Sequence, residues 1–199
     1  MTRIHRDPAA GPQSARHTRG RAAGLAVLAA VLLAGCYGES YDPPIARRTC
    51  EVTTGPGVDG LQLYGTNRFS GLPDIANYSS TATLDAGTIE FNNPALSSTS
   101  RTGSLRISLW AVAGNFNGGS FTGYSVGTYA IQFAGGATTL LNGQSADLVP
   151  QSVAAFTPPR GSYCVMLTLE EYNPASCPGD SDGYCIVDWQ QFSTSAEFY

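Results

Sequence analysis

The sequence predicts an all-β fold, an antiparallel β-sandwich of seven to nine strands, and three observations carry that expectation. From Cys50 onward, short runs rich in β-branched and aromatic residues are separated by clusters of glycine, asparagine, serine and aspartate. Within those runs apolar residues recur at every second position, the period of a strand with one buried face. No segment of that region shows the 3.6-residue period of an amphipathic helix. Short strands joined by polar turns bury their apolar faces by stacking sheet on sheet, as immunoglobulin/fibronectin-like sandwiches and jelly rolls do.

The elements follow in chain order. A first strand runs from Cys50 to Thr54 and ends at Gly55-Pro56-Gly57. Further strands are expected at Leu61–Tyr64, Ser80–Leu84, Thr88–Asn92, Gly103–Ala113, Thr128–Ala134, Ala146–Phe156 with a break at Pro150, Gly161–Tyr172 and Gly183–Thr194. The clearest alternation lies in Ser104–Val112. Leu105, Ile107, Leu109 and Ala111 share a face that belongs to the core, while Arg106, Ser108, Trp110 and Val112 share the other. The last two strands read as a hairpin closed by the Cys177 loop. In the final strand Tyr184, Ile186 and Phe192 oppose Val187 and Trp189, leaving Asp188 on an apolar face, the pattern of a strand covered on both sides.

Ahead of this region, residues 1–21 carry five arginines, and Ala22 to Ala34 form an apolar run. Thirteen residues of helix span roughly 20 Å, too short for a ~30 Å hydrocarbon core, so the order is that of an export signal rather than a membrane span. The run ends in Leu33-Ala34-Gly35-Cys36, which resembles the lipobox of bacterial lipoproteins. The resemblance implies cleavage before Cys36, acylation of that cysteine, and attachment to a membrane through its lipid. The organisation is then a signal peptide over 1–35, a tether over 36–48 containing Pro43-Pro44, and a single domain over 49–199. Tyr37 follows the cysteine where aspartate would retain the protein at the inner membrane. By the sorting rule of lipoproteins in two-membraned bacteria, this favours the outer membrane.

Removing residues 1–35 from 199 leaves 164, enough for one domain with a core of its own. The remainder carries six arginines against fourteen acids, about −8, and no basic run beyond Arg47-Arg48. That balance excludes nucleic acid as a partner. His5 and His17 both precede the expected cleavage point, and the chain contains no lysine. Ser-His-Asp and Cys-His nucleophiles, imidazole metal ligands and Schiff bases are therefore absent from the domain, which leaves carboxylates, tyrosine and arginine for any catalysis.

With Cys36 committed to lipid, four cysteines remain, and an even number in an exported chain reads as two disulfides. Of three connectivities, Cys177 with Cys185 is favoured because the intervening Pro-Gly-Asp-Ser-Asp-Gly-Tyr bends back on itself. That leaves Cys50 for Cys164. A four-cysteine zinc site is disfavoured by the lack of any Cys-x-x-Cys pair.

From Arg101 to Phe192 the sequence also resembles a module of secreted bacterial proteins that brings no assigned activity. The likeness lies in Thr102–Ala111, Gly118-Gly119, Gly123-Tyr124, Pro158–Tyr163, Leu167–Tyr172, Asp182–Tyr184 and Asp188-Trp189. It implies the β fold and assigns no site.

Several candidate sites can be named. Asn115–Tyr124 combines Phe116, Phe121 and Tyr124 with glycine, serine and asparagine and carries no charge, so its aromatics either contact a sugar or a protein or plug the end of the core. Arg106 and Trp110, on the second face of the best strand, are either an open platform or are covered by a loop. Glu170 and Glu171 are neighbours in a strand and point to opposite faces, so a carboxylate pair would need a partner such as Asp188. Asp180 and Asp182 precede Gly183 as in the opening of a calcium loop, but no glutamate closes the ligand set, and a plain turn is the simpler reading. No metal or cofactor is expected. The function expected is that of a non-catalytic envelope lipoprotein binding a protein or glycan. The alternatives are a carboxylate-dependent polysaccharide hydrolase and a passive structural component.

Overall fold

The computed structural model describes residues 4–5, 44–72, 81–177 and 182–199. Apart from Ile4–His5, the expected signal peptide lies outside the described residues, as do Cys36, most of the tether and Asp180. The described strands are β1 (Ile4–His5), β2 (Thr53–Thr54), β3 (Leu61–Tyr64), β4 (Arg68–Ser70), β5 (Thr81–Asp85) and β6 (Thr88–Phe91), followed by β7 (Leu105–Val112), β8 (Phe121–Ala130), β9 (Gln144–Asp147), β10 (Gln151–Ala154), β11 (Gly161–Tyr172) and β12 (Tyr184–Phe198). Among the described residues one 3₁₀ turn occurs, at Ala134–Gly136.

Six strands form one sheet in the order β1-β8-β7-β11-β12-β2, and two three-stranded sheets, β10-β5-β4 and β3-β6-β9, complete the fold. Every pairing is antiparallel except β1 with β8, where Ile4–His5 lies parallel to Phe121–Thr122. The fold is therefore an all-β sandwich. Twelve strands among the described residues exceed the seven to nine expected, for local reasons. Pro150 lacks the N–H a ladder needs and splits one expected strand into β9 and β10. β1 and β4 lie where no strand is expected; β1 is two residues long and β4 three, and β4 contains one apolar residue, Phe69, too few to show a period.

Leu105, Ile107, Leu109 and Ala111 of β7 join Val165, Leu167 and Leu169 of β11 on one face. They pack on Leu84 of β5 and Ile89 and Phe91 of β6. The opposite face is also dry, with Trp110, Val112, Cys50, Cys164, Met166, Ile186, Trp189 and Phe116 forming a second cluster. All eight residues of β7 are buried as a result. β12 has one more residue than its partner: Leu169 faces Asp188 while Glu170 faces Ile186, so Val187 is a bulge. The bulge sends Val187 to the main core and puts Ile186 and Trp189 in the same second cluster. That is the physical reason for the broken alternation in this strand.

Both expected disulfides are present. Cys50 joins Cys164 and Cys177 joins Cys185. The residues just ahead of Cys50 are tied to the domain, since Arg47 Nε donates to Glu197 Oε1 at 2.6 Å and Arg48 donates through its backbone N to Ser162 Oγ at 3.0 Å and through Nε to Ser162 O at 2.6 Å.

Candidate binding cleft

In the loop after β7, Phe116 turns inward and covers the sheet. Phe116 is 4% exposed and its backbone is held at both ends, its N–H donating to Gln191 Oε1 at 2.8 Å and its carbonyl accepting from Thr53 Oγ1 at 2.7 Å. Gln191 Nε2 also donates to Asn115 Oδ1 and to Glu51 O. The Phe116 ring meets Trp189 edge-on at 4.8 Å and Phe121 at 5.2 Å, and Phe121 in turn meets Trp110 at 5.3 Å. Gly118 and Gly119 both have positive φ, 94° and 89°, which lets the chain turn back over Trp189. Tyr124 points to the other face, where its ring packs on Tyr163. The three aromatics thus form no common patch, and Phe116 plugs the second cluster. Phe116→Ala is expected to cost about 3–5 kcal/mol in urea unfolding, the range for emptying a phenylalanine site in a core. The half-buried Phe121 should cost less on the same measurement.

Arg106 and Trp110 offer no platform either. Trp110 is fully buried, its Nε1 donating to Thr168 Oγ1 at 3.0 Å and to Glu170 Oε1 at 3.1 Å. Arg106 donates through Nε to Glu170 and through Nη1 to Asp182 Oδ2 at 2.6 Å, with its guanidinium 3.9 Å from the centre of the Tyr184 ring. Asp182 therefore serves an arginine. No cluster of three or more potential metal ligands occurs among the described residues.

The remaining acids are built into the backbone scaffold. Glu171 accepts from the N–H of Gly103 at 2.6 Å, on the face opposite Glu170. Asp188, 4% exposed, accepts from the N–H of Leu63 in β3 at 2.7 Å and from that of Trp189 at 2.8 Å, tying the large sheet to a small one. Burial pushes the Asp188 carboxyl up despite the backbone donors, which pull it down. Gly55 packs so closely here that a Cβ would lie 2.1 Å from Asp188 Oδ1.

Among the described residues a cleft of about 840 Å³ opens at the outer edge of β8, within the range of ligand sites. One wall is residues 129–134 and the other residues 144–149, and Arg101, Leu140, Leu141 and Gln151 also line the cleft. The first wall is held by β7, where Ile131 N–H donates to Leu105 O, and by the segment after the 3₁₀ turn, where Phe133 N–H donates to Ala137 O. The second wall hangs on β6, with Leu148 N–H donating to Gly87 O. Among the described residues Asp147 is the cleft's one carboxylate, and its Oδ1 accepts from Thr88 Oγ1 at 2.6 Å.

Tyr129 lies at the inner side of the cleft, and its buried hydroxyl has no hydrogen-bond partner among the described residues. Burial first, and Asp85 second, push it up to about 12 from an ordinary 10. Between those values the unfolded chain ionises while the folded one does not, so folding stability falls as pH rises through the window. Tyr129→Phe should lack this loss, and stability measured at intervals up to the alkaline limit should show the wild type falling by roughly 2–3 kcal/mol more than the variant.

No sequence-predicted site residue lines this cleft. Its residues come from two stretches of ordinary strand composition, and only their juxtaposition makes a site. No family model, curated protein or solved structure matches the chain.

Proposed function

We propose that the chain is a lipid-anchored envelope protein whose β-sandwich is a non-catalytic module that binds a protein or glycan in the cleft between β8 and β9. The observation that carries this reading is the cleft itself, a concave surface of ligand size with mixed lining, in a domain where the candidate groups Phe116, Arg106, Trp110, Glu170, Glu171, Asp182 and Asp188 are engaged in holding the fold. The hydrolase reading has less support. Glycoside hydrolysis needs two carboxyl groups across a bond, and among the described residues Asp147 is the one carboxylate lining the cleft, while Glu170, Glu171 and Asp188 are committed elsewhere.

The anchor and the cleft are tested separately. Cys36→Ser should leave the domain folded and release it from membranes, because the acyl chains implied by Leu33-Ala34-Gly35-Cys36 hold far more strongly than a single chain does. Sedimentation of the serine variant with membranes after a salt wash would show that protein contacts hold it instead. For the cleft, a photo-reactive residue at Gln132 of the anchored protein should give a cross-linked species in intact cells that the same residue at the exposed Leu96 does not. Identical products at both positions would remove the cleft from the proposal.

A further inference from the structure

Resting on the reading of the cleft as the binding site, we infer that its occupant is an extended polypeptide segment that joins the outer edge of β9 as an added strand. A strand that presents a side-chain face to a cavity contributes every second residue. Here the cleft is lined by consecutive residues, 129–134 on one wall and 144–149 on the other. Consecutive lining means that the strands present their backbone edges.

The hydrogen-bond phase agrees. Leu148 directs its N–H inward to Gly87 of the β6 side, and in an antiparallel ladder the direction alternates. Ala146, which faces Ile89, is therefore inward, whereas Ser145 and Asp147 direct their N–H and C=O groups away from β6 and into the cleft. β9 ends its sheet, so no strand takes up those groups among the described residues. Opposite, Ile131 is bonded inward to Leu105, which turns the backbone groups of Ala130 and Gln132 outward. Among the described residues β8 has a strand partner on that edge only at Phe121–Thr122, with Phe156 N–H donating to Val126 O between there and Ala130.

Edges left open in this way are usually blunted by lysine, proline within the strand, a bulge or a cover. Among the described residues Gln144–Asp147, four residues long, has no lysine, proline, bulge or cover, and its one charge is tied to Thr88. A wall of five or six residues runs roughly 17–20 Å, enough for an added strand of similar length. Ile131, Phe133, Leu140 and Leu148 at the inner side would receive apolar side chains at alternate positions of the segment, with polar ones facing out. A sugar-binding cleft would instead offer an open aromatic face, but the Tyr129 and Phe133 rings pack against the core.

The test uses the full chain in detergent and short random peptides displayed on phage. Enriched peptides should alternate apolar and polar residues. In synthetic copies, N-methylation should weaken binding about tenfold or more at every second position and little at the positions between, because only alternate N–H groups face β9. Ser145→Pro, which removes an outward N–H and leaves the ladder to β6 intact, should weaken binding similarly with an unchanged melting temperature. If that variant fails to fold, the N-methyl pattern decides. A pattern without period two, full binding by a folded Ser145→Pro, or failure to enrich any peptide overturns the inference. A polysaccharide cross-linked at Gln132 overturns it while leaving the binding-module reading standing, and the absence of any product specific to Gln132 overturns both.

Discussion

Replacing Cys50 and Cys164 together by alanine is expected to cost about 4–5 kcal/mol, close to twice the loss from replacing Cys177 and Cys185. In the chain-entropy account the cost of losing a disulfide grows with the logarithm of the loop it closes. The sequence separations are 114 and 8 residues, which give about 4.8 and about 2.6 kcal/mol. The structure adds a local reason. Cys50 ties down a segment whose only strand pairing is Thr53–Thr54 with Gln190 and Gln191. It also sits in the second cluster with Trp110, Phe116 and Trp189. Urea unfolding followed by tryptophan fluorescence measures both losses, and hydrogen exchange should show residues 45–54 opening first in the variant lacking Cys50. A smaller loss for the Cys50 pair than for the Cys177 pair would mean that the unfolded chain is not the state this bond restrains.

The parts of this fold that were legible in the sequence are those where one local rule operated alone. β3 and β11 have the expected limits because their alternation is bounded by glycine or asparagine. The disulfide pairing followed from a short turn and elimination. The two faces of β7 were separable by period, but what covers the second face was not, since a loop folding over a sheet depends on a distant acceptor. Gln191, in the last strand, is what fixes Phe116. The cleft was hidden for a related reason. Residues 129–134 and 144–149 carry no motif, and an unpaired strand edge is a property of topology. β8 itself begins at Phe121, well before the expected Thr128, because Gly123 and Gly127 weaken its β signal while allowing close approach to Val112 and Val153.

Removing the charge of Arg106 tests whether the second face is held by its polar centre or only by its apolar cover. Arg106→Met keeps most of the side chain's length and is expected to cost about 3–5 kcal/mol, the range for stranding one partner of a buried ion pair. Glu170 is fully buried, and without the guanidinium it would keep only Trp110 Nε1 and Thr168 Oγ1 as donors. Pairing that change with Glu170→Leu should restore most of the loss, because a buried pair replaced whole by apolar groups is close to neutral. Trp110 would retain Thr168 Oγ1 as its acceptor, and Asp182, whose side chain is 26% exposed, could turn to solvent. Equilibrium unfolding of the two singles and the double completes the cycle. A double variant as unstable as Arg106→Met alone would show that the cost lies in the packing of the arginine stem and its stacking on Tyr184. In that case the guanidinium serves β7 and β12 chiefly as a flat spacer between Tyr184 and the hairpin loop.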